Sequence, residues 1–163
     1  MAPDHTAETA DYIGIRRLQN AYADVVTRRS WAELEPLFEP DCPVELDLRD
    51  RGVLTFSGPG EIGEFIGRSI EVFEFFRFEI VNTTVEIGLR GDPDLAGARM
   101  YMCELRRGAD DGEWSQMHGL YVDRMRRGPD GWRFAHRRYH SVGRQAADSQ
   151  VFDWPSIDWH DVG

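Results

Sequence analysis

The apolar positions of the first thirty residues recur at helical spacing. Ile15, Leu18, Tyr22, Val25 and Val26 fall on one stripe, and Arg16, Arg17, Gln19 and Asp24 fall on the other side. The pattern predicts an amphipathic helix from Ala10 to near Arg29. Ser30 offers a cap for a second short helix, Trp31-Ala-Glu-Leu-Glu, with Glu33 near its positive end and Pro36 and Pro40 bracketing its exit. Strict alternation then replaces the helical period. Val44-Glu-Leu-Asp-Leu reads as a strand whose acids, Glu45 and Asp47, face solvent, and Asp50-Arg-Gly turns it into Val53-Leu-Thr-Phe. Gly58-Pro59-Gly60 breaks the chain. Helical spacing resumes from Glu61 to Phe73 through Ile62, Phe65, Ile66 and Ile70. Gly63 and Gly67 each weaken that helix by about 1 kcal/mol relative to Ala, so a close neighbour is expected on their face.

Four long strands come next: 76–87, 97–107, and the two arms of a hairpin over 115–144. Gly128-Pro129-Asp130-Gly131 supplies the hairpin turn, with Pro presetting φ and Gly free to take φ > 0. A strand has a side-chain period of two. Met100, Met102 and Glu104 therefore share one face of their strand, and Tyr101, Cys103 and Leu105 the other. Gly119, Tyr121, Asp123 and Met125 share one face of the next, which is expected to line a pocket. Leu120, Val122 and Phe134 are expected on the outward face. Helix, helix, hairpin, helix and an antiparallel meander make an α+β fold. The expected shape is a cone: a curved, mainly antiparallel β-sheet with N-terminal helices packed on its concave face.

At 163 residues the chain is most simply one domain, large enough to bury a core and a cavity. Residues 1–9 read as a loose tail, 10–144 as the domain, and 145–163 as an acidic, aromatic tail carrying Phe152, Trp154 and Trp159. Those tryptophans are too apolar for a freely solvated end, so the tail is expected to dock over the pocket mouth or a neighbouring subunit. The net charge of −10 argues against nucleic acid, which demands basic surface. Arg124, Arg126, Arg127, Arg133, Arg137 and Arg138 concentrate the positive charge, and read as solvated strand faces paired with acids across strands. Cys42 and Cys103 stand far apart with no C-x-x-C, which fits buried thiols in a reducing compartment. No apolar run approaches a membrane span, and the expected location is the cytoplasm.

Candidate chemistry is sparse. Glu104 follows two methionines on one face, and an unpaired buried carboxyl shifts toward neutrality, where it serves as a general acid or base. It could instead pair with Arg124 or Arg137. His136 and His140 lie on a predicted strand, where a four-residue step spans about 13 Å, too far for one metal ion. No phosphate loop, nucleophile elbow or Cys–His pair appears, so neither a metal nor a cofactor is expected.

Ile15-Arg-Arg-Leu-x-x-x-Tyr22, then Trp31-x-x-Leu-x-x-Leu-Phe38, resembles the opening of the SnoaL-like branch of the NTF2-like superfamily. Tyr121-x-Asp123-x-Met and Asp130-Gly-Trp-Arg-Phe resemble its ending. The branch is similar to scytalone dehydratase, bile-acid 7α-dehydratase, hexachlorocyclohexane dehydrochlorinase and ketosteroid isomerase. The resemblance covers residues 10–144 and implies a pocket for a small molecule. Where its dehydratases carry an Asp and a His, this chain has Thr27 and Phe78. Tyr22 falls on a functional tyrosine of the family, Glu104 near an acid–base position, and Tyr121 on a substrate-binding position. The resemblance implies a cofactor-independent lyase (dehydratase) or isomerase/cyclase for a hydrophobic ring-bearing or polyketide-like molecule, working by acid–base chemistry. Glu104, Tyr22 and Tyr121 would be its catalytic groups, with Thr27, Phe78, Met102, Tyr139 and Trp154 contacting the substrate. Tyr22 and Tyr121 could equally be core residues with internally satisfied hydroxyls. A non-catalytic small-molecule-binding protein on the same scaffold is the alternative. Relatives also imply a homodimer or homotrimer.

Overall fold

A computed structural model describes residues 5–155, 157–158 and 160. Helix α1 (His5–Arg28) carries the predicted stripe: Ile15, Leu18, Tyr22, Val25 and Val26 are all buried. Fully burying an aliphatic or aromatic side chain contributes about 1.5–3 kcal/mol, so this face holds the helix to the sheet. The helix starts five residues before the expected Ala10. Asp11 ties that half down by accepting hydrogen bonds from Trp132 Nε1 at 3.2 Å and Arg127 Nη1 at 2.5 Å. Trp31–Leu37 forms a 3-10 helix rather than an α-helix, with Pro36 inside it. The Ser30 hydroxyl does not cap it. Arg28, drawn to Glu33, takes the Ser30 Oγ with a 2.7 Å hydrogen bond.

Strands β1 (Pro43–Asp47) and β2 (Val53–Ser57) form the short hairpin. Helix α2 (Gly58–Ile70) comes after them, and the Gly-Pro-Gly triplet expected to break the chain is its first turn, where Pro has no N–H to lose. A Cβ on Gly63 would stand 3.1 Å from Leu34 Cδ1, and one on Gly67 would stand 3.2 Å from Trp31 Nε1. The close neighbour is therefore the Trp31–Leu37 segment. Strands β3 (Phe73–Ile87), β4 (Leu95–Gly108), β5 (Trp114–Gly128) and β6 (Gly131–Gln145) make the meander, and a two-residue strand β7 (Gln150–Val151) adds to β6. The sheet runs β2-β1-β6-β5-β4-β3 and is mostly antiparallel, curved and unclosed. The β1–β6 pairing is parallel. Pro129-Asp130 is the two-residue turn between β5 and β6, and Gly131 takes φ 113°.

Bulges reset which residues face inward. In β3 the inward set is Phe76, Phe78 and Ile80; a register shift at Val81 then passes the inward phase to Thr83, Val85 and Ile87. In β6 Arg124 pairs with His136 but Met125 pairs with Phe134, leaving Ala135 unpaired. That extra residue reverses the phase. Phe134, expected outside, is fully buried between Tyr22 and Phe38, at centroid distances of 5.9 and 5.1 Å. Leu120 and Val122 do lie on the outer face, in a second small cluster with Val142, Tyr101 and Ile157. No helix among the described residues is long and apolar enough to cross a membrane.

Candidate functional site

Helices α1 and α2 and the concave sheet face enclose a cavity of about 310 Å³. Its walls are apolar: Val26 from α1, Leu46 and Leu48 at the end of β1, Phe65, Ile66 and Ile70 from α2, and Phe73 and Phe78 from β3. Polar groups enter from separate elements. Tyr22 comes from α1, Glu104 and Arg106 from β4, Tyr121 from β5, Tyr139 from β6, Ser69 from α2 and Arg51 from the β1–β2 turn. A mostly apolar cleft with few convergent polar groups is the usual form of a small-molecule site.

The Tyr22 and Tyr121 hydroxyls stand 3.4 Å apart, although the residues are 99 positions apart in sequence. The Tyr121 ring lies 5.1 Å from that of Tyr139. Gly119 makes room for the latter, because a Cβ there would come within 2.1 Å of the Tyr139 ring. Burial raises all three phenols above their ordinary value. At Tyr22 the Arg137 cation and the Tyr121 hydroxyl pull back against that rise; at Tyr121 the neighbouring Tyr22 adds to burial while Arg137 opposes it. The three are thus neutral hydrogen-bond donors rather than bases.

Glu104 lies on the inward face with the buried Met100 and Met102, as the alternation predicts. It is not an unpaired acid. Arg106, two residues on and therefore on the same face, binds Glu104 Oε2 through Nε at 3.0 Å and also through Nη2. Arg124 and Arg137, the partners expected from sequence, are not engaged with it. Arg106 in turn stacks its guanidinium 5.1 Å from the Phe73 ring centroid. The carboxylate is therefore held in one place, with Oε1 outside the Arg106 clamp.

Behind the two tyrosines lies an ion pair that a reading by composition misses. Arg137 is 1% exposed and Asp123 is 0% exposed. Arg137 Nε and Nη2 bind the two Asp123 oxygens at 2.8 and 3.2 Å. The guanidinium carbon stands 4.1 Å from the Tyr22 ring centroid and 4.0 Å from those of Tyr121 and Phe134. Burial pushes the Asp123 carboxyl up, and Arg137 opposes that shift. Burial also works against the Arg137 cation, but Asp123 and the phenols outweigh it. Arg137 is therefore not one of the solvated arginines expected from the sequence. That description fits Arg126, Arg127 and Arg133, which pair with acids at the surface, while Arg138 pairs with the half-buried Glu45. The signal for Arg137 is Asp123, which shares the Tyr121 face and lies directly across the hairpin from it.

Of the expected site residues, the cavity brings together Tyr22, Phe78, Glu104, Tyr121 and Tyr139. Three are elsewhere. Met102 is buried in the core and outside the lining. Thr27 is also outside it, and its Oγ1 accepts a 3.1 Å hydrogen bond from the Phe78 backbone N–H. Trp154 packs on the outer face against Tyr101, ring centroids 5.7 Å apart, because strand β7 carries the tail along the β6 edge and over that face. It does not cover the cavity. Trp159 lies outside the described residues. Arg51, Ser69, Arg106 and Met117 line the cavity although the sequence pattern does not single them out. Arg106 and Met117 carry a signal, the alternation that continues one step past Glu104 on one strand and one step before Gly119 on the next.

The outer face holds a separate polar network. Glu45 accepts from Arg138 at 3.0 and 3.1 Å and contacts His136 Nε2 at 3.2 Å, while Asp47 contacts His140 Nδ1 at 3.0 Å. Each histidine has its own carboxylate, and both acids are half-buried rather than solvated. No group of three or more His, Cys, Asp or Glu among the described residues is placed to hold a metal ion.

Comparison with solved structures gives the same architecture. The chain superposes on a candidate scytalone dehydratase from Novosphingobium aromaticivorans with a TM-score of 0.76 at 15% identity, covering 90% of this chain and 94% of that one. A hexachlorocyclohexane dehydrochlorinase from Novosphingobium barchaimii gives 0.75 at 14% identity, covering 93% and 100%. An NTF2-like protein with a cystatin-like fold from Novosphingobium aromaticivorans gives 0.70 at 20% identity, covering 85% and 86%. At these identities the likeness concerns the fold. No curated protein matches the sequence. A family model described as a SnoaL-like domain matches residues 7–138, most of the chain. The protein belongs to the SnoaL-like domain family.

Proposed function

We propose that this protein is a cofactor-independent lyase or isomerase acting on a hydrophobic, ring-bearing or polyketide-like molecule. The observation that carries this is the convergence of one clamped carboxylate and three neutral phenols in a single apolar cavity. Glu104 removes a proton from the carbon next to a carbonyl. Tyr22 and Tyr121 donate hydrogen bonds to the oxygen on which negative charge develops. In a dehydration the enolate then expels the neighbouring hydroxyl. The proton held on Glu104 goes to that oxygen, water leaves, the carbonyl re-forms and the carboxylate is regenerated. In an isomerisation the same proton returns to a different carbon. Phe78 and Tyr139 contact the ring. The dehydratase and dehydrochlorinase neighbours support elimination chemistry on this scaffold.

One observation favours a second reading, in which the cavity binds a small molecule without converting it. The Thr27 hydroxyl is spent on the Phe78 backbone, and on the family resemblance these two residues stand where the dehydratases carry an Asp and a His. Incubating the protein with a panel of cyclic β-hydroxy ketones, and monitoring water loss by mass spectrometry, separates the two. Turnover supports the lyase. Binding by calorimetry without turnover across the panel supports the binding protein. We further propose a homodimer or homotrimer, supported by large apolar side chains left exposed on the sheet, Val81, Phe75 and Trp114 among them.

A further inference from the structure

Tyr22 and Tyr121 belong to different elements; their hydroxyls share one 3.4 Å hydrogen bond and their rings meet edge to face at 6.1 Å. Neither contact by itself fixes the direction in which both hydroxyls point. What fixes them is behind them. The Arg137 guanidinium has both rings and that of Phe134 within 4.0–4.1 Å of its central carbon, and Asp123 locks its plane through two hydrogen bonds. Cation–ring attraction strengthens where water is excluded, and this group is almost wholly buried. Arg137 is absent from the cavity lining, whereas both tyrosines belong to it. A buried ion pair is weak evidence of added stability, since apolar residues of similar volume often replace one without loss. Its retention directly behind two cavity hydroxyls therefore suggests a task other than stability.

We propose that Arg137, oriented by Asp123, is a positioning residue that holds the Tyr22 and Tyr121 hydroxyls together as one paired donor site for an oxyanion in the cavity. The inference rests on the function proposed above, in which those hydroxyls receive developing negative charge. Two features agree with it. The three rings come from α1, β5 and β6, so one side chain couples the helix to the sheet where the cavity needs precision. The Arg137 cation also opposes the rise that burial imposes on both phenols, which keeps them better donors than burial alone would allow.

The test measures binding of para-nitrophenolate against neutral nitrobenzene by absorbance titration. It uses the full-length protein, Arg137→Lys, and the double variant Asp123→Leu/Arg137→Met, which removes both charges together. Wild type should prefer the phenolate. The double variant should melt near wild type and keep its nitrobenzene affinity, but lose on the order of tenfold in phenolate affinity, about one charge-assisted hydrogen bond. Arg137→Lys, which keeps the charge without the planar fork, should fall between. An unchanged phenolate preference in either variant overturns the inference while leaving the proposed function intact. Equal loss of both ligands in a folded double variant reduces Arg137 to packing and also overturns it. No phenolate preference in wild type would overturn both the inference and the role given to the tyrosines.

Discussion

Arg137→Met is expected to be among the most damaging single substitutions outside the apolar core. The change leaves the Asp123 carboxylate, which is 0% exposed, without the two hydrogen bonds at 2.8 and 3.2 Å that offset its burial. Removing one partner of a buried ion pair typically costs about 3–5 kcal/mol. Against a domain stability of about 5–15 kcal/mol, that is a large share. For a chain of this length each kcal/mol moves Tm by roughly 2–4 °C, so a fall of roughly 6–20 °C is expected. Asp123→Leu should cost a comparable amount, because it strands the guanidinium instead. The double variant should recover most of the loss, since neither charge then remains. Urea unfolding of the four proteins, monitored by tyrosine and tryptophan fluorescence, gives the coupling energy directly. Single variants within about 1 kcal/mol of wild type, or losses that simply add in the double variant, would refute a mutually dependent buried pair.

Three further outcomes concern the outer face, the tail and the assembly. Burial holds His136 and His140 below the ordinary value of 6.5, although Glu45 and Asp47 pull the other way. The unfolded chain therefore takes up protons first as pH falls through about 6.5, so Tm should drop between about pH 7.5 and pH 5.5; a flat Tm there would contradict the assignment. Hydrogen bonds from Arg138 hold Glu45 below its ordinary range, so the stability from that pair is present above the unfolded value and is lost under still more acidic conditions. Deleting residues 150–163 should uncover Leu120, Val122 and Val142 and cost about 1–3 kcal/mol, yet leave cavity affinity unchanged; weaker ligand binding with unchanged stability would restore the tail as a lid. Sedimentation at micromolar concentration should give two or three times the 18.8 kDa chain mass, and a monomer would remove the proposed assembly.

Most of the fold is legible in periodicity because each element's local preference agrees with its final burial. The α1 stripe and the inward Met100-Met102-Glu104 series are examples. What alternation cannot show is where the phase slips. The extra residue at Ala135 turns Phe134 inward, and the shift at Val81 does the same for Thr83 and Val85. Ser30 illustrates a different limit: a good capping residue loses its cap to a nearby arginine. At the site, five of the eight expected residues meet in one cavity, because inward-facing positions on adjacent strands converge there. Trp154 could not be placed from sequence, since its position depends on strand β7 pairing with β6, and two residues carry no detectable strand pattern. Arg137 escapes a reading by composition, which treats a run of arginines as one group, while the pleat sends one member inward and its neighbour Arg138 outward.

The proposed chemistry has Glu104 handle the proton while the phenols stabilise the charge. Kinetics and melting of Glu104→Gln on a substrate found in the hydroxy-ketone panel test it most directly. The substitution keeps the side-chain volume and removes the titrating oxygen. General acid–base catalysis supplies about 10²–10⁴-fold, so kcat should fall by that factor while the fold persists. Wild-type kcat together with a lowered melting temperature would contradict this division of labour and make Glu104 only the structural partner of Arg106.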